Sequence, residues 1–255
     1  MEKIFIKNRK NQRVSVLIEN VDNKRGLAFV MHGLGDSKDS THIRTFAKAF
    51  TDNSYMVVSF DTTNTFGESD GTFEEANITN YYEDFEDVIN WAKEQNFFEE
   101  PFILCGHSLG AICSAFYAEN HPDKVKALAP FSTVVNAELS KQSYSKEELT
   151  NWEKTGWLTE DWGAQGNIRL KWSYMKEKEK FDLLKLSEKL TMPVLMVVGE
   201  LDNTTPLKNQ QILFDRLPGR KELHLIKEAP HTFRKKEHLD ELYKILDNWI
   251  KSLAD

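Results

Sequence analysis

The chain has 255 residues, enough for one full-size domain with room for a small insertion. Its 33 Lys and Arg against 40 Asp and Glu give a net charge of −7, and a mildly acidic surface argues against nucleic acid, whose phosphates need concentrated positive charge. Hydrophobic residues at 40% and charged residues at 29% exclude a mostly disordered chain, and no apolar run approaches the roughly 18–20 residues of a membrane span.

Taken in chain order, Glu2–Lys7 and Arg13–Glu19 alternate apolar and polar residues, the pattern of an antiparallel edge hairpin. The first ten residues lack the apolar core and small-residue cleavage site of a signal peptide. Cys105 and Cys113 are the only cysteines, so neither a disulfide framework nor a zinc ligand set is expected. Together these features lead us to expect a cytoplasmic protein without membrane insertion, acting as a monomer or homodimer on a small molecule.

Leu27–Met31, Tyr55–Phe60, Phe102–Cys105, Val125–Ala129, Pro193–Val198 and Glu222–Ile226 are short apolar runs bounded by turn residues, and read as buried strands. Helices are expected at Thr41–Thr51, Ile78–Gln95, Leu109–Asn120, Pro206–Arg216 and Glu237–Ser252. In the second of these, Tyr82, Phe85, Val88, Ile89 and Ala92 form one apolar face. Strands alternating with helices predict a mostly parallel, doubly wound α/β sheet with helices on both faces. Residues 132–190 break the rhythm. No strand is convincing there, and charged and aromatic helical stretches take over, so the core is expected to comprise 1–131 and 191–255 with 132–190 inserted. Lys176 to Lys180, a run of alternating Lys and Glu, reads as a solvated helix face.

Gly106-His107-Ser108-Leu109-Gly110 fits G-x-S-x-G and lies between a strand and a helix. Such a turn puts the serine in a strained conformation with its oxygen exposed, and glycines two before and two after avoid collision. The helix N-terminus adds partial positive charge where an oxyanion would form. A serine nucleophile needs a base. Of seven histidines, His32 and His107 sit in glycine turns, His224 lies in a strand, and His42, His121 and His238 look like surface residues. His231 follows the last strand on a loop, where parallel sheets place their active sites. To orient the imidazole, Asp202 in the turn after Pro193–Val198 is favoured over the neighbouring Glu200, which lies closer to the strand end. Backbone N–H groups of Leu109 and of Leu34, within His32-Gly33-Leu34-Gly35, are the expected oxyanion donors.

Together these residues resemble the α/β-hydrolase superfamily of serine hydrolases over nearly the whole chain. The closer likeness is to small bacterial carboxylesterases of the cinnamoyl/feruloyl esterase type and to the related serine aminopeptidase and monoacylglycerol lipase group. It is carried by His32-Gly33-Leu34-Gly35, the stretch Phe66 to Phe73, the elbow around Ser108 and Ala229-Pro230-His231-Thr232-Phe233. The resemblance implies ester hydrolysis through an acyl-enzyme, without metal or organic cofactor, under a cap inserted after the sixth strand. The loop Asp61 to Ser69 departs from the group's pattern. It is one residue longer and lacks the first glycine, so the pocket rim is expected to differ. Serine at the elbow excludes the dehalogenase and epoxide-hydrolase branches, which carry aspartate.

The reaction expected is serine attack on a carboxylic ester of small to medium acyl, aryl or hydroxycinnamoyl type. An amide hydrolase or peptidase, a monoacylglycerol lipase and a non-catalytic binding protein are the alternatives. Trp152, Trp157, Trp162 and Trp172 crowd the insertion and are candidate substrate-binding residues, one or two of them facing a pocket and the rest packing.

Overall fold

The computed structural model describes residues 1–162 and 165–253. Eight strands form the main sheet: β1 (Glu2–Lys7), β2 (Arg13–Glu19), β3 (Gly26–Met31), β4 (Tyr55–Phe60), β5 (Phe102–His107), β6 (Val125–Phe131), β9 (Val194–Gly199) and β10 (Lys221–Ile226), in spatial order β1-β2-β4-β3-β5-β6-β9-β10. β2 runs antiparallel to both β1 and β4, and the remaining pairs are parallel. The main helices are α1 (Thr41–Asp52), α2 (Ile78–Lys93), α3 (Leu109–Asn120), α7 (Leu207–Arg216) and α8 (Lys236–Ser252). Every strand and helix expected from periodicity is present, with ends within two residues of the sequence reading. The burial of one of these strands needs correction. β10 is an edge strand with Leu225 exposed, not a buried one, because only β9 pairs with it.

The period of two along β3 shows why both faces are apolar. Leu27, Phe29 and Met31 enter one hydrophobic cluster with Tyr81, Phe85 and Val88 of α2 and Ile112 of α3. Ala28 and Val30 enter the other, with Phe46 and Phe50 of α1 and Leu242 and Leu246 of α8. The sheet is thus covered on both sides, as continuous apolar parallel strands require.

Between β6 and β9 lie α4 (Ala137–Lys141), α5 (Lys146–Thr155), β7 (Trp157–Asp161), β8 (Asn167–Lys171) and α6 (Trp172–Lys178). α5 opens with a capping box in which Ser145 and Glu148 satisfy each other's backbone N–H, and it closes on Gly156 at φ 79°. The sequence reading admits no strand here, yet β7 and β8 pair antiparallel. The alternation that marks them is real, with Ile168 and Leu170 buried between exposed Asn167 and Arg169, but it spans only five residues and is rich in charge. Trp152, Ile168, Leu170, Tyr174 and Met175 belong to the same cluster as the α2–α3 face, so the insertion shares the main core.

Candidate active site

Ser108 is held between the end of β5 and the first residue of α3 at φ 53° and ψ −112°. A non-glycine residue there costs of order 1–3 kcal/mol and must be locked by its surroundings. The lock is visible: the Ser108 N–H donates to Phe131 O at 3.0 Å, and its carbonyl accepts from Ala111 and Ile112 at 3.1 and 3.2 Å. The glycine spacing follows from close approach. A Cβ on Gly106 would lie 2.5 Å from Gly110 O, and one on Gly110 would lie 2.4 Å from His32 O.

The structure brings Ser108, Asp202 and His231 together from the carboxyl ends of β5, β9 and β10. The Ser108 hydroxyl lies 2.9 Å from His231 Nε2, and His231 Nδ1 lies 2.8 Å from Asp202 Oδ2. Asp202 is buried, and its Oδ1 accepts from the N–H groups of Thr204 and Thr205 at 2.9 and 2.8 Å. Burial works against its charge, but the hydrogen bond and charge of His231 and the bonds from Thr205 outweigh it. Its carboxyl therefore titrates well below the ordinary range. Glu200 takes a different part. It is exposed, and its Oε2 accepts the Glu228 N–H at 2.9 Å, bracing the loop that carries His231.

Leu109 is the first residue of α3, so its N–H has no partner within the helix. The loop carrying Leu34 runs against the nucleophile, since a Cβ on Gly33 would lie 3.1 Å from Ser108 Cβ. His32 shapes that loop. Its Nδ1–H donates to Gly33 O at 2.7 Å and its Nε2 accepts the Thr62 N–H at 3.0 Å.

Several contributors escape sequence reading. Thr205 Oγ1 lies 2.8 Å from Asp202 Oδ2 and 2.9 Å from Ser132 O, anchoring the acid to the end of β6. The run Asp202-Asn203-Thr204-Thr205-Pro206 is the available signal, since an Asp followed by Thr and Pro marks a side-chain-capped turn. His107 donates its Nε2–H to His231 O at 2.8 Å. Burial, with His42 and His231 close by, pushes the His107 pKa far down, which keeps the ring neutral. His42 and His238, read as surface residues, are both buried, because each falls on the core-facing side of an amphipathic helix. Asp36, His42 and His107 place ligand atoms within 4.8 Å of one another, the one such metal-ligand group among the described residues.

The four insertion tryptophans separate. Trp152 is fully buried and donates Nε1–H to Leu170 O at 3.0 Å, so it is a core residue and offers no surface to a ligand, contrary to the sequence expectation. Trp172 packs on it with ring centres 5.4 Å apart. Trp157 is stacked under the Arg169 guanidinium at 4.0 Å. Trp162 alone reaches the loops of the site. It stacks edge-on against Phe73 at 5.2 Å and lies near Phe66 at 6.3 Å, and a Cβ on Gly35 would meet its ring at 2.4 Å. Phe66 comes from the loop that departs from the family pattern. There Asn64, at φ 61°, supplies the left-handed turn without a glycine. The same loop is pinned by a buried ion pair, Lys38 Nζ to Asp61 Oδ2 at 2.8 Å.

Comparison with known proteins places this fold in a class. Over 98% of this chain and 99% of the other, the fold superposes with TM-score 0.84 and 20% identity on Est1E from Butyrivibrio proteoclasticus bound to ferulic acid. It superposes with TM-score 0.83 and 22% identity on mouse alpha/beta hydrolase domain-containing protein 10, over 99% of this chain and all of that one. The fold is that of the α/β hydrolases. A sequence profile of the serine aminopeptidase S33 family matches residues 22–180, more than half of the chain, and the chain belongs to that family. Among curated relatives, mouse mitochondrial palmitoyl-protein thioesterase ABHD10 is 27% identical over 193 residues, which cover 74% of this chain and 63% of that protein's length. Among the described residues no helix is long and apolar enough to cross a membrane.

Proposed function

We propose that the protein cleaves carboxylic esters and thioesters through an acyl-enzyme on Ser108. The observation that carries this reading is the hydrogen-bonded series Ser108–His231–Asp202 set on a strained elbow. His231 takes the Ser108 proton as the hydroxyl attacks the carbonyl carbon. Asp202 holds the ring so that Nε2, not Nδ1, faces the serine, and it stabilises the imidazolium that forms. The N–H groups of Leu34 and Leu109 receive the oxyanion. His231 then gives its proton to the departing alcohol or thiol, and water repeats the steps to free the acid.

Residues 132–190 act as the cap in this reading, and Phe66, Phe73 and Trp162 form an aromatic face for the acyl or aryl group. The names of the relatives support an acyl or aryl substrate: one is a palmitoyl-protein thioesterase and one structure holds ferulic acid. Aminopeptidase action needs a carboxylate free to hold an ammonium group. Acids beside the site are instead engaged among the described residues, Asp61 by Lys38, Asp202 by His231 and Glu160 by Trp162 Nε1. A panel of p-nitrophenyl esters, a hydroxycinnamoyl ester, an acyl thioester and aminoacyl anilides tests the proposal. Esters and thioesters are expected to turn over with a burst of leaving group. Preferential cleavage of the anilides would contradict it.

A further inference from the structure

We infer that Asp36, His42 and His107 form a binding site for a first-row divalent cation of the zinc type, beside the Ser108 elbow and separate from it. The three residues come from three elements: the loop after β3, the first turn of α1 and the last position of β5. The sequence reading expects no metal and puts His42 on the surface. In the fold His107 is 1% exposed and His42 is 4% exposed.

Two buried ring nitrogens carry the argument. Among the described residues, His107 Nδ1 has no hydrogen-bond partner, a state that needs explanation in a native fold, and His42 Nε2 has only the Asp36 carboxylate beside it. The state of His107 is fixed by its other nitrogen. Nε2 lies 2.8 Å from the His231 carbonyl oxygen, which can only accept, so Nε2 carries the hydrogen and Nδ1 presents a lone pair. His42 Nε2 lies 3.1 Å from Asp36 Oδ2, within ion-pair range. The other Asp36 oxygen is taken, because Oδ1 accepts the Ser37 N–H at 2.9 Å and the Ser40 hydroxyl. Oδ2 is left to face the two rings.

A single proton on His42 Nε2 cannot serve both Asp36 Oδ2 and His107 Nδ1, whereas a cation accepts all three lone pairs at once. The surroundings match those of metal ligands, in which a ligating histidine donates its second N–H to a carbonyl and a ligating carboxylate is itself hydrogen-bonded. Two imidazoles and one carboxylate suit zinc with a fourth position for water. Zinc bonds of about 2.0–2.1 Å space ligand atoms roughly 3.4 Å apart, so groups now within 4.8 Å of one another close inward to bind it. Asp36 is two residues past Leu34, and His107 directly precedes Ser108 and holds the His231 carbonyl. A cation here ties together the loops that bear the oxyanion donor, the nucleophile and the base, without touching substrate.

The test uses the full-length protein stripped with chelator and offered Zn²⁺ or Co²⁺ alone, with no substrate. One Zn²⁺ per chain is expected to survive gel filtration and to raise the thermal midpoint. Co²⁺ is expected to give the visible bands of nitrogen and oxygen coordination. His42→Gln and Asp36→Asn are each expected to lose both signals, while His231→Gln keeps them. If His42→Gln fails to fold, Asp36→Asn decides, since its side-chain oxygen still accepts from Ser37. The proposal is overturned if neither metal binds stoichiometrically, if the ions are lost in His231→Gln and kept in Asp36→Asn, or if Co²⁺ gives no visible bands with the wild-type protein.

Discussion

The elbow region and the insertion solve opposite problems. Around Ser108 the backbone does the positioning: a left-handed serine, two glycines in close contact with carbonyls, and an acid whose oxygens are met by Thr204, Thr205 and His231. In the insertion the side chains do it. Trp152 is buried against Trp172 and Tyr144, and the β7–β8 hairpin is fixed to the body by Trp162 on Phe73 and by ion pairs of Arg169 with Glu74 and Lys171 with Glu75. A backbone-defined site tolerates little change in residue type. A packed insertion tolerates change wherever volume and contact are kept.

The sharpest break in that contrast is Asp202→Asn. The Asn oxygen can keep the Thr204 and Thr205 N–H bonds, but its amide would face His231 Nδ1 and force the proton onto Nε2. Ester turnover should fall on the order of 10⁴-fold with the fold intact. Steady-state kinetics beside circular dichroism check it, and a loss of folding without a catalytic effect in the soluble fraction would erase the contrast. Next in size is Trp152→Ala. It should cost about 3–5 kcal/mol in urea unfolding, as removal of a large core aromatic does, while the elbow stays assembled in the folded fraction.

A third test compares the two ends of α3. Ser108 opens toward the site at one end, whereas Glu119 at the other is buried with neither carboxylate oxygen partnered among the described residues. Burial pushes its pKa up to about 8 from 4.5, helped by the charges of Asp182 and Glu188. Between those values the folded state holds a proton that the unfolded state has released, so the contribution of Glu119 to stability falls as pH rises from about 4.5 to about 8. Glu119→Gln should remove that slope and raise stability at pH 8.5 by about 1–3 kcal/mol, with little difference near pH 4, as read by denaturant midpoints. The smallest expected effect is that of Trp162→Ala. It should raise KM for aryl and medium-chain esters about 10-fold, leave acetate esters nearly unchanged, and shift stability by no more than about 1 kcal/mol. An equal effect on acetate would remove Trp162 from the acyl face.

The legible parts of this sequence are those where local chemistry has one solution. Continuous apolar runs bounded by turn residues read as covered strands, true of all but the edge strand β10, and glycines at 106 and 110 around Ser108 mark a crowded turn. The turns that hold Asp202 and His231 were readable because each follows a strand, and the structure sets the two side chains 2.8 Å apart. The unreadable parts depend on tertiary neighbours. His42 and His238 face inward only because of how α1 and α8 lie on the sheet. The β7–β8 strands are too short and too charged to separate from helix by period. The four tryptophans announce a packed insertion, but sharing them between core and rim depends on contacts with Leu170, Gly35 and Phe73 that lie distant in sequence.

The most direct measurement of the central claim is fluorophosphonate labelling of the native protein followed by mass mapping. The account predicts one adduct, on Ser108, absent in Ser108→Ala and strongly slowed in His231→Ala. An adduct on another serine, or labelling that persists at full rate in Ser108→Ala, would contradict it.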